Sequence, residues 1–192
     1  MKMNKKEILF YALLVAVATI IKILCAPNIA LSGITAVMSV ALFAGLNKTY
    51  NVANSFLVPL VTLLVSNVII QVLFSLHMFP FEGFYKWQFV EYSLVIVLTA
   101  LGLLLRKAKT VGIFAAAILG PTIFFFISNY FTWAIYGQQI GYTHDTAGLL
   151  NCYTQGLPFY RNSLLSTIVL LPVFIMAYQW IITGKAKLAL AK

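Results

Sequence analysis

Acidic side chains are nearly missing from this chain: four Asp and Glu stand against thirteen Lys and Arg in 192 residues. Charge of either sign amounts to 9% of the residues, where a soluble domain carries about 25%. That scarcity excludes an ordinary solvated surface. Cysteine is scarce too, and the two present, Cys25 and Cys152, exclude a disulfide framework. A single bridge, or two free thiols behaving as small hydrophobes, are the readings left. The chain lacks a phosphate-cradling glycine loop, a GxSxG elbow, an HExxH pair and any two carboxylates within one helix. The apolar stretches hold almost no acid, with Glu7 and Glu91 at their ends, which disfavours ion coupling through a mid-membrane carboxylate. Repeated polar rings of the kind that line channels are absent. No basic patch with interleaved aromatics occurs, so the net charge of +9 does not imply a nucleic-acid partner.

What is present is apolar. Hydrophobic residues make up 62% of the chain, arranged in long stretches with short polar breaks. A membrane span needs about 20 apolar residues. Six such spans are expected, at residues 8–24, 30–46, 52–76, 89–105, 111–136 and 164–183. The second opens after Pro27 with small residues and is the weakest. The expected fold is therefore all-α: a single domain over residues 1–192, an integral membrane bundle of six transmembrane helices. With six spans, ten of the thirteen basic residues (Lys2, Lys5, Lys6, Lys48, Arg106, Lys107, Lys109, Lys185, Lys187 and Lys192) fall on one side. Cytoplasmic loops collect Lys and Arg, so both termini are expected in the cytoplasm. Glu82, Glu91 and Asp145 fall on or near the other side. The first stretch is not read as a cleaved signal, because its core is long and Leu24 precedes Cys25.

Several side chains stand out within this frame. Ala12 and Ala16 are spaced i, i+4 on the first span, which allows another helix to approach closely. Packing inside the bundle and docking of a separate protein fit that spacing equally. Lys22 near the outer end of the same span is read as snorkelling to the interface, with an inward orientation toward an anionic group as the alternative. Pro59, Pro121 and Pro172 lie inside spans and bend them. At about 100° per residue, Thr62 and Ser66 share one side of the third span and Asn67 and Gln71 another. The latter two are nearer the outer half and are taken as ligand contacts. On the fifth span Asn129, Trp133 and Tyr136 form an i, i+4, i+7 stripe. Polar atoms turn away from lipid, so this face is expected to line a largely apolar pocket.

Residues 137–160 form a long outer connection. Asp145 is a helix N-cap candidate, and Gly156 with Pro158 a stop. A short interfacial helix at about 146–155 is expected between helices five and six, lying over the bundle mouth as a lid. Tyr142, Asn151, Cys152 and Tyr153 would contact ligand from it, and Arg161 would pair with a carboxylate or phosphate at the mouth. His77, Glu82, Tyr85, Lys86 and Trp87 would form the opposite rim. Cys25, His77, His144 and Cys152 are all metal-ligand types, but their irregular spacing makes co-location accidental, and neither a metal nor another cofactor is expected.

The segments PNIALSGITAVMSVALFAG (27–45), VPLVTLLVSNVII (58–70), FFFISNYFTWAI (124–135) and YTHDTAGLLNCYTQGLPFYRNSL (142–164) give the chain a family look. It resembles the substrate-binding S components of energy-coupling factor (ECF) vitamin transporters, and more closely a bacterial family of transport proteins related to them. The resemblance implies a six-helix protein of the inner (plasma) membrane that binds a vitamin or similar micronutrient in an outward-facing cavity. It also implies docking onto a membrane scaffold subunit driven by two cytoplasmic ATPases. Ala12 and Ala16 match the family's AxxxA docking motif. No signature of one vitamin is present. The expected function is uptake rather than catalysis. The alternatives are a membrane enzyme acting at the outer surface through His144, Asp145 or Cys152, and a solitary transporter of a corrinoid or metal.

Overall fold

The structure, a computed structural model, describes residues 5–184. Lys2, Lys185, Lys187 and Lys192, counted above in the charge asymmetry, lie outside the described residues. The described residues form six α-helices: α1 (Lys5–Cys25), α2 (Val37–Leu46), α3 (Val52–Ser75), α4 (Phe89–Leu105), α5 (Lys109–Tyr136) and α6 (Thr146–Thr183). No strand occurs among the described residues. Four helical stretches, 5–25, 52–75, 89–136 and 146–183, are long and apolar enough to cross a membrane. A 3-10 turn at Arg106–Ala108 divides the third of these into α4 and α5, which fold back on each other as a hairpin.

Local chemistry explains the boundaries. Asn51 and Asp145 cap α3 and α6, their side-chain oxygens accepting from the N–H groups of Asn54 and Gly148 at 2.7 Å. His77 (φ +58°) takes the left-handed position that ends α3, and Gly184 (φ +72°) does the same for α6. Pro59, Pro121, Pro158 and Pro172 all lie within helices. Each removes one backbone donor. Neighbouring hydroxyls bond back to the chain nearby, as Thr62 does to the Val58 carbonyl and Thr122 to that of Ile118.

Two elements depart from the sequence reading. The expected span 30–46 is α-helical only over Val37–Leu46, after a single 3-10 turn at Ile29–Leu31. Ten residues rise about 15 Å, half the hydrocarbon thickness of about 30 Å. All ten are buried, so α2 is an axle surrounded by the other helices. The expected helix at 146–155 is helical, but it runs unbroken into α6. Gly156 does not stop it because that glycine serves packing. A Cβ there would lie 2.4 Å from Asn129 Oδ1 on α5.

The burial pattern departs from that of a soluble protein, with polar side chains set into an apolar core and large apolar ones on the surface. Ser39, Ser55, Thr62, Ser66, Asn67, Thr99 and Thr167 are buried, while Leu104, Val111, Leu150 and Trp180 are 63–81% exposed. Polar side chains turned inward and apolar ones outward are what a hydrocarbon solvent selects. Thr19 of α1 and Ser66 of α3 are hydrogen-bonded at 2.9 Å in the interior.

Helix ends that alternate along the chain gather into two ends of the bundle. At the basic end, Phe10, Phe43, Tyr50 and Tyr178 pack with ring centroids 5.2–6.0 Å apart. Arg106 ties this end together, donating to the carbonyls of Gly45 (2.7 Å) and Tyr50 (3.4 Å) and to Ser55 Oγ (2.9 Å). Gly45 and Gly102 let α2 and α4 meet backbone to backbone, since a Cβ on Gly102 would lie 2.7 Å from the Leu42 carbonyl oxygen. At the opposite end lie residues 26–36, 76–88 and 137–145.

Candidate functional site: a charged cavity at the end opposite the basic cluster

A cavity of about 320 Å³ opens between α1, α2, α4, α5 and α6. Lys22 enters it from α1 and Glu91 from α4. Its apolar walls are Val37 and Met38 of α2, Val95 and Leu98 of α4, and Phe124 of α5. Residues 26–36 close one side with Ser32, Gly33, Ile34 and Thr35, and Phe81 reaches in from 76–88. The volume is at the small end of small-molecule sites, which run from about 300 to 1,000 Å³.

Lys22 is held rather than free. Its Nζ donates to Asn67 Oδ1 at 2.5 Å and lies 3.9 Å from Glu91 Oε1. Asn67 is fully buried, and its Nδ2 has no hydrogen-bond partner among the described residues. On the other side of Glu91, Oε2 accepts from the Tyr85 hydroxyl at 3.2 Å. Burial, reinforced by the neighbouring Glu91 carboxylate, pushes the Tyr85 phenol up from its usual range. It remains a donor. The snorkelling expected of Lys22 does not occur, because buried Asn67 offers its amine an acceptor inside the bundle.

The wall at 26–36 is strapped to α6. Asn162 Nδ2 donates to the carbonyls of Ala30 (2.9 Å) and Ser32 (2.8 Å), and Ser163 Oγ donates to that of Gly33 (2.8 Å). Gly33 has φ +92°, and a Cβ on it would fall 2.4 Å from the Phe159 carbonyl oxygen. Only glycine fits that left-handed close approach. A second cavity of about 240 Å³ lies between α4 and α5, lined by Tyr85, Trp87 and Tyr136 among others. It shares Glu91 and Phe124 with the first.

The sequence-predicted site residues scatter around this geometry. Asn67 touches the site through Lys22, and Tyr136 lines the second cavity. Gln71 instead pins 76–88, its Oε1 accepting from the N–H groups of Gly83 and Phe84 at 3.0 and 3.2 Å. Asn129 and Cys152 face each other across the α5–α6 contact, with Cys152 Sγ 3.4 Å from the Asn129 carbonyl oxygen. Tyr153 belongs to the same contact and donates to the Phe126 carbonyl at 3.0 Å. Trp133 anchors 137–145: its Nε1 donates to the Thr143 carbonyl at 2.9 Å and its ring stacks on His144. Tyr142 is half-buried, while Asn151 and Arg161 are exposed. None of Tyr142, Asn151, Cys152, Tyr153 and Arg161 lines either cavity. The expected lid is thus an extension of the α5–α6 hairpin, and residues 26–36 cover the cavity in its place. Asn129, Trp133 and Tyr136 of the α5 stripe are each partly buried, and contacts with α6 and with residues 137–145 occupy Asn129 and Trp133.

Ala12 and Ala16 are exposed on the outer face of α1 and lie in a shallow groove with Val15, Thr19, Ile20 and Ile69. Cys25 and Cys152 are free thiols. No group of three or more His, Cys, Asp or Glu placed to hold a metal lies among the described residues.

Sequence reading missed Glu91, Ser32, Thr35 and Ser163 as members of the site. A signal for the first was present. Lys22 and Glu91 are opposite charges embedded at the same end of two apolar stretches, and buried charges are found paired.

Fold and cavity together define an apolar all-helical protein of the membrane-embedded class, with a small chamber that holds the Lys22–Glu91 pair between apolar walls. The chain belongs to a family of unknown function, DUF6580, whose match covers residues 2–189. No curated protein and no solved structure matches it.

Proposed function

We propose that this chain is the substrate-binding, S-component-like subunit of an uptake transporter for a vitamin or similar micronutrient. The observation that carries this reading is the 320 Å³ cavity, with its paired Lys22 and Glu91, set into an otherwise apolar helical bundle. In this reading the helices form a six-span unit of the bacterial inner membrane, with α2 the short sixth member. The basic end and both termini are cytoplasmic, following the distribution of Lys and Arg, and the cavity faces outward. The 146–155 part of α6 lies at the outer membrane interface. The uncovered Ala12 and Ala16 face docks onto a membrane scaffold subunit, and two cytoplasmic ATPases supply the energy. The chain itself has no phosphate-binding loop, so hydrolysis belongs to those partners.

Native mass spectrometry of the gently purified protein tests the binding step through a retained small molecule and copurifying subunits. Ala12→Leu tests the docking step: cellular uptake of the retained molecule should be abolished while its binding to purified protein is unchanged. Normal uptake by that variant removes the docking face from the proposal. A protein purified without ligand from cells that take up nothing through it removes the proposal itself.

A further inference from the structure

The charges in the cavity restrict what fits. Lys22 and Glu91 are the ionisable side chains among its lining residues, and their charges cancel. Each is about a quarter exposed, at 26% and 25%, so both are largely withdrawn from water. Glu91 lies in the first turn of α4 and Lys22 in the last turn of α1. These are the helix ends whose dipoles complement a carboxylate and an ammonium respectively.

A ligand of net charge bound here would leave one charge uncompensated among Met38, Val95, Leu98 and Phe124. Uncompensated charge in an apolar site is strongly unfavourable. A ligand carrying both signs side by side leaves none. The spacing of the pair agrees. At 3.9 Å, Lys22 and Glu91 attract but are beyond the roughly 2.7–2.9 Å of a charge-assisted hydrogen bond. Lysine has three donors, of which one goes to Asn67. Glu91 keeps acceptor capacity beyond the single bond from Tyr85. Each charge thus retains a hydrogen-bonding position that its partner does not fill.

We infer that the cavity takes a small zwitterion of the α-amino acid type. Its carboxylate meets Lys22, its ammonium meets Glu91, and its apolar side group lies against α2, α4 and Phe124. Charge-assisted bonds are roughly twice as strong as neutral ones, which favours a zwitterion over an uncharged amide of the same shape. This inference deepens the uptake reading and rests on it.

Four probes with one apolar body test it: L-phenylalanine (zwitterion), 2-phenylethylamine (cation), 3-phenylpropionate (anion) and 3-phenylpropionamide (uncharged). Binding to the purified full-length protein is measured by calorimetry at millimolar probe concentration. Phenylalanine is expected to bind at least tenfold more tightly than the other three. In Glu91→Gln the anion should overtake the cation, in Lys22→Met the cation should overtake the anion, and the double variant should lose the preference for the zwitterion. Equal or tighter wild-type binding of a singly charged probe or of the amide overturns the inference, as does no binding of any probe. The wild-type comparison needs no variant to fold. Native mass spectrometry of the same preparation separates the two levels. A retained ligand of net charge leaves the uptake reading standing and removes the zwitterion, whereas no ligand and no uptake remove both.

Discussion

Replacing Asn162 by Ala should release residues 26–36 from α6 while leaving the bundle folded. The side chain supplies two hydrogen bonds, to Ala30 and Ser32 carbonyls. Each bond is worth about 0.5–1.5 kcal/mol net, and water recovers part of the loss at the exposed Ala30 carbonyl. A local cost of about 1–2 kcal/mol follows, which raises the open population of this segment by about 5- to 30-fold. The Leu31, Ser32 and Ile34 amides report it, because each is bonded within the segment, to Asn28, Ile29 and Leu31 carbonyls. Hydrogen-exchange mass spectrometry in micelles should show faster exchange over 26–36 and unchanged exchange over α5. Gly33→Ala should act the same way and more strongly, since its methyl would meet a backbone oxygen that has little room to yield. Unchanged exchange over 26–36 in both variants, or an equal rise across α5, would refute the assignment of this segment as a separately held wall.

Gly102→Val should lower the thermal midpoint in micelles by forcing α2 and α4 apart. Overpacking costs about 1–3 kcal/mol, and the upper end applies because the atoms in the way are backbone. Arg106→Lys keeps the charge but not the fork that reaches three acceptors, and should cost about 1–2 kcal/mol in chemical denaturation. An unchanged midpoint would show that the clamp is decorative. Asp145 supplies a pH handle. The Thr143 hydroxyl and the Gly148 N–H hold its carboxyl below the usual carboxylate range. Its capping contribution is therefore present above about pH 4 and lost as pH falls through the depressed value. Exchange over the first turn of α6 should rise on acidification, and Asp145→Asn should abolish that pH dependence.

Much of the architecture was legible because hydrocarbon is an undemanding solvent to read. Long apolar stretches have few alternatives to helix, and Asn51 and Asp145 mark helix starts by side-chain chemistry. Depth and partnership were harder. The composition of 30–46 is as apolar as a span, and nothing local records that Asn162 and Ser163, more than a hundred residues later, hold its first part in an open turn. Gly156 and Pro158 carry the local signature of a helix end, yet contact with Asn129 across the hairpin keeps the helix going. The stripe of Asn129 and Trp133 has the spacing of a pocket wall, but spacing does not distinguish a ligand from a neighbouring helix. Lys22 and Glu91 were each visible singly, and their pairing needed the fold.

The buried axle α2 has a consequence for how the molecule is made. At roughly half the hydrocarbon thickness and with every residue enclosed by protein, it cannot rest in lipid as an independent rod. Its surroundings are supplied by α3, α4, α5 and α6, which pack against it. The cavity wall that Val37 and Met38 form is therefore complete only where those helices close round α2.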